Sequence, residues 1–143
     1  MKIITKIISI ILFIFLSSVN TTSYSSEKIK LGLLVPITGS NAHIGKSIIK
    51  ATRMAINKIN YPNLIIVPKD TSSNPNKTFL SASELKEEGV KIVIGPVFQD
   101  NLTLLDELNE MTFLSLTNKN YKNPKNIISL GINAESQINT INN

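Results

Sequence analysis

The sequence of 143 residues contains no cysteine, no tryptophan and a single histidine, His43. Without cysteine there can be no disulfide, no thiolate metal site and no lipid-modified cysteine after a leader. With one histidine, a metal site would have to be assembled from carboxylates and amides, so metal catalysis is not indicated, and no cofactor is expected. No serine sits in a Gly-x-Ser-x-Gly elbow, and no acid pair is spaced in a way that marks acid–base work, so the chain reads as non-enzymatic. The formal charge of +5 is mild. Two of its lysines, Lys2 and Lys6, belong to the opening segment, and the other basic residues are scattered singly among acids with no run and no aromatic interleaving, which argues against nucleic acid as a partner. No apolar run reaches the roughly 20 residues that a membrane span requires.

The chain does hold a short basic start followed by an apolar run, Ile7 to Leu16, interrupted only by Ser9 and closed by Ser17, Ser18 and Asn20. This is the pattern of a secretory signal peptide, expected over residues 1–25, with only transient membrane contact and release into the periplasm, not lipid anchorage. Residues 26–143 are enough for one domain with one core.

From there apolar strands and amphipathic helices alternate. Ile29 to Val35 is a buried strand ended by Pro36. From Asn41 to Ile59 the apolar Ile44, Ile48, Ala51, Ala55 and Ile59 recur at helical spacing and are expected to face inward. Leu64 to Val67 is the second strand. Asn74-Pro75 announces a helix to Glu88, because asparagine caps free amides and proline at the next position gives up no needed bond; Gly89 closes it. Lys91 to Ile94 is the third strand, and Asp100 is expected to cap a helix bearing Leu102, Leu105 and Leu108. Thr112 to Leu116 and Ile127 to Leu130 complete five strands, and Asn133 is expected to cap a last helix with Ile138 and Ile141 inward. Such alternation predicts an α/β fold: a doubly wound parallel five-stranded sheet, order 2-1-3-4-5, with helices on both faces.

Gly39 to Ser47 ends in Gly-Lys-Ser, but five residues separate Gly39 from Gly45 where a phosphate loop needs four, so the segment reads as a loop and helix start. In an open α/β sheet ligands bind beyond the carboxyl ends of the strands. The loops there carry Thr38, Ser40, Asn41, Asp70, Gln99, Asp100, Thr117 and Asn118, uncharged donors and acceptors together with two acids and with helix amino ends nearby, which suit a small polar or acidic ligand.

The segments IKLGLLVPITGSNAHIGKSIIKATRMAIN, VPKDTSSNP and GVKIVIGPVFQDN, in this order and spacing, resemble the leucine/isoleucine/valine-binding-protein family of the type I periplasmic-binding fold. The resemblance covers Ile29 to about Ile141 and implies the first lobe of a two-lobed fold, incomplete because the sequence stops before the first crossing strand. Asp70 to Ser73 and Ile94 to Val97 are more similar to the penicillin-binding-protein activator branch. That branch implies regulation of peptidoglycan synthesis by contact with a peptidoglycan synthase. The transport receptors of the family imply instead a small polar ligand such as an amino acid, held by small hydroxylated residues after the third and fourth strands. Here those loops offer Phe98 and Gln99, then Thr117, Asn118 and Lys119, and Ile44 replaces an aromatic residue of the first loop. A fragment with no role of its own is the third expectation.

Overall fold

The computed structural model describes residues 28–118, 124–131 and 138. Its elements are β1 (Ile29–Val35), α1 (Ala42–Ile59), β2 (Leu64–Asp70), α2 (Pro75–Glu87), β3 (Ile92–Ile94), β4 (Thr112–Ser115) and β5 (Ile127–Ser129). All five strands are parallel and lie in the order β2-β1-β3-β4-β5, as the alternation of elements predicts. The signal segment lies outside the described residues. So does the last helix, apart from Ile138, which is helical but 56% exposed where an inward position was expected.

Register fixes what each face carries. Gly32 pairs with Val67 and Val93, Val93 with Phe113, and Phe113 with Ile127, so one face presents a continuous apolar row. On it sit Ala82 and Leu85 of α2 and the buried Leu102, Leu105, Leu108 and Met111, forming the core. α2 is delimited as its sequence dictates. Asn74 has extended φ and ψ, and its side chain accepts a hydrogen bond from the Lys77 amide at 3.0 Å, with Pro75 in the first turn. At the other end Gly89 adopts φ 80° while its amide bonds Lys86 O and the Val90 amide bonds Leu85 O, a Schellman closure. Asn74→Ala is expected to lower stability by about 1 kcal/mol in urea titrations, because one first-turn amide loses its acceptor.

Three expectations are corrected. The helix expected from Asp100 to Leu108 is two 3-10 turns, Gln99–Leu102 and Leu105–Glu107, without a side-chain cap. Leu102, Leu105 and Leu108 are spaced by three throughout, the period of a 3-10 helix, and all three are buried.

β2 runs on through Pro68 and Lys69 to Asp70, beyond the expected end at Val67. It is an edge strand, where proline withholds no ladder donor. Lys69 on this edge reaches Glu84 and Glu88 of α2, each at 2.8 Å.

α1 keeps its expected orientation only in its first half. Ile44 and Ile48 are partly covered as expected, beside the buried Gly45 and the partly covered Ile49, but further on Thr52 and Ile56 are the covered residues, whereas Ala51, Ala55 and Ile59 are exposed. Thr52 can face inward because its hydroxyl bonds Ile48 O at 2.9 Å. On the sheet, Ile92 and Ile128 are likewise about half exposed. Among the described residues no helix is long and apolar enough to cross a membrane.

Candidate functional site

Parallel register brings the carboxyl ends of the strands to one side of the sheet: Val35 at the end of β1 is level with Asp70 at the end of β2. All eight candidate residues fall at this end, Asp70 as the last residue of β2 and the others beyond the ends of β1, β3 and β4. Two of them meet directly. The Asp70 carboxylate accepts the amides of Ile37 (2.7 Å), Thr38 (3.1 Å) and Ser72 (2.9 Å) on Oδ1. Its Oδ2 accepts the hydroxyls of Thr38 (2.6 Å) and Ser72 (2.9 Å) and the Lys77 ammonium (2.7 Å).

Asp70 therefore fastens the loop after β1 to the loop after β2 and to α2. Partial burial pushes its pKa up. The Lys77 ammonium, the Thr38 hydroxyl and the Ser72 and Ile37 amides outweigh that and hold the carboxyl well below the usual range. Lys77 also donates to Ser72 Oγ at 2.8 Å, and its charge is already balanced by Asp70.

Beside this cluster the Asn41 carboxamide donates to Ser73 Oγ at 3.1 Å, and so ties the start of α1 to the β2 loop instead of capping its own helix. Ser72 and Ser73 both have positive φ, 45° and 56°, in the tight turn that aims their groups back at Asp70 and Thr71. Ser81 Oγ, from α2, bonds Asp70 O at 2.9 Å.

The second half of the candidate set is dispersed by comparison. Gln99 is partly covered, Asp100 and Asn118 are exposed, and Thr117 is buried with its amide on Ser115 Oγ at 3.3 Å. Ser40 is exposed on the rim.

Sequence reasoning missed Ser72, Ser73, Lys77 and Ser115. For the first two a signal existed, since an aspartate followed two residues later by a small polar residue is a turn that bonds its own backbone. Lys77 lies seven residues beyond its partner, and only the turn between β2 and α2 brings the two together. It also missed Asn101, 2% exposed, whose carboxamide has no partner on either atom. Of the Gly-Lys-Ser segment, Ser47 bonds His43 O inside α1 at 2.9 Å. Among the described residues no group of three histidine, cysteine or carboxylate side chains could hold a metal ion.

A doubly wound parallel lobe with its polar loops gathered beyond the strand ends defines a binding module of the α/β type. The chain belongs to the periplasmic binding protein family, whose pattern matches residues 28–142. No curated protein matches it.

Among solved structures it is similar to a solute-binding protein of an ABC transporter from Rhodopseudomonas palustris BisB5 in complex with 3,4-dihydroxybenzoic acid. The identity is 25% and the TM-score 0.58, over 62% of this chain and 26% of that one. It is similar in fold to an ABC-type branched-chain amino acid transporter protein from Rhodopseudomonas palustris CGA009, at 18% identity and TM-score 0.64, covering 74% of this chain and 33% of the other. It is likewise similar in fold to the C-domain of LpoA from Haemophilus influenzae, a regulator of PBP1A, at 23% identity and TM-score 0.59, covering 72% and 32%. The chain thus spans about a quarter to a third of the length of these proteins.

Proposed function

We propose that the chain is a non-enzymatic binding lobe of an exported cell-envelope protein that works by protein contact, as a regulator of a peptidoglycan synthase. The observation that supports this reading is the saturation of Asp70. Thr38, Asp70, Ser72 and Lys77 direct their hydrogen bonds at one another. The result is a fixed polar surface, which suits docking of a folded partner better than capture of a small ion. Export through residues 1–25 and release into the periplasm belong to the same proposal.

The test is co-elution of the purified chain with the bifunctional peptidoglycan synthase of the same cell. Ser40→Arg, on the exposed rim and outside the Asp70 network, is expected to abolish the complex while leaving the melting temperature unchanged. Absence of a complex with the unaltered chain would overturn the reading.

A second reading, a solute receptor, is favoured by Gln99 and Asp100, which have no part in the Asp70 network, and by the likeness to the dihydroxybenzoate-bound protein. It expects a rise in melting temperature with aromatic carboxylates or amino acids. A flat response to both classes would eliminate it.

A further inference from the structure

At the far end of α1, about 27 Å along the helix from the strand-end loops by its 18 residues, an open groove of about 410 Å³ is lined by Ile56, Asn57, Asn60, Tyr61, Pro62 and Leu64. Its volume falls within the roughly 300–1,000 Å³ typical of small-molecule sites. Three properties narrow what it could hold.

Among the described residues no charged side chain lines it, so a charged ligand would find no counter-ion among them. The groove also lies at the carboxyl end of α1, where last-turn carbonyls lack helical partners and carry partial negative charge. That end accepts hydrogen bonds from hydroxyls and repels anions. The wall is amphipathic: the aromatic Tyr61 lines it and is 47% exposed, and the Asn57 and Asn60 carboxamides make no hydrogen bond to other described residues. Each carboxamide offers two donors and an acceptor. Asn60 is held at φ 51°, the left-handed residue that ends α1, with its amide on Ile56 O at 3.0 Å, so the backbone that carries it is fixed by the helix itself.

We propose that this groove binds a neutral saccharide, with a pyranose face against Tyr61 and its hydroxyl or acetamido groups on Asn57 and Asn60. A flat ring with one apolar face and a rim of hydroxyls matches an exposed tyrosine flanked by carboxamides. The anionic class is disfavoured by the helix end, and the cationic class has no carboxylate among the described lining residues to pair with. The site is separate from the strand-end loops, so it stands or falls independently of the partner proposed above.

The experiment is a titration of the ¹⁵N-labelled chain with chitotetraose and, separately, maltotetraose, followed by amide chemical shifts. Saturable shifts are expected at Asn57, Asn60 and Tyr61, including the asparagine side-chain NH₂ signals. Tyr61→Ala is expected to weaken binding about ten-fold, while Tyr61→Phe, which keeps the ring, stays within about three-fold. Tyr61 is half exposed, so the alanine variant is expected to keep a dispersed native spectrum. Saturable shifts with either sugar at these residues support the site. No shift with either sugar at millimolar concentration, or shifts that persist unchanged in Tyr61→Ala, would overturn it.

Discussion

Asp70→Ala is expected to destabilise the fold by about 3 kcal/mol, the largest loss from any single polar side chain of this chain. The carboxylate closes six contacts, three of them to backbone amides, and truncation leaves those amides without their acceptor and the Lys77 ammonium without its counter-charge, with only Ser72 Oγ to donate to. Asp70→Asn separates charge from geometry. Its carboxamide oxygen can still take the three amides, and the Thr38 and Ser72 hydroxyls can turn to accept from its nitrogen, but the Lys77 ammonium then faces an NH₂ donor and loses its charged partner, keeping only Ser72 Oγ. Roughly half of the alanine loss is expected.

Acid provides an independent check. The folded-state pKa of Asp70 lies below its ordinary value of 3.8. The unfolded chain therefore binds the proton first as pH falls, and the stabilisation is fully present above that value and lost below it toward the lower folded value. Urea titrations between about pH 3 and pH 7 are expected to show stability falling with acid in the unaltered chain and a shallower fall in both variants. Equal acid slopes in all three proteins would show that another carboxylate governs the response.

What could be read from the sequence was what local rules determine. The strand order followed from the alternation of elements, and the limits of α2 followed from Asn74, Pro75 and Gly89, each of which acts within a few residues of itself. The orientation of α1 was legible only in its first half. The apolar series Ile44, Ile48, Ala51, Ala55, Ile59 is regular and its first two members are partly covered, yet beyond them the covered positions are Thr52 and Ile56, in line with the buried Gly45. A glycine and a back-bonded threonine allow closer approach than the isoleucine flank does, and periodicity weighs hydrophobicity but not distance.

The site shows the same division. That Thr38, Asp70, Gln99 and Thr117 would gather at one end was legible from topology. That Asp70 would be consumed by Thr38, Ser72 and Lys77 was not, because saturation depends on a turn with two consecutive positive φ values, at Ser72 and Ser73.

Gly45→Ala gives the second large effect, and its sign decides between two accounts of α1. Judged as a helix alone, replacing an interior glycine with alanine should stabilise by roughly 1 kcal/mol. In the folded chain, however, a Cβ at Gly45 would fall on the carbonyl oxygen of Pro36 and 2.6 Å from its carbonyl carbon, both backbone atoms that cannot swing aside. The first turns of α1 would have to lift off the loop after β1, taking with them the Asn41 contact to Ser73. The expected outcome is a loss of about 3 kcal/mol or more, with amide shifts at Ile37, Thr38 and Ser73. Gly89→Ala serves as the contrast: no atom lies within 4 Å of its Cβ, and only its φ of 80° is strained, so about 1 kcal/mol is expected. If Gly45→Ala instead stabilised the chain, α1 would be free to withdraw from the β1 loop, and the rigid strand-end surface on which partner contact depends would not exist.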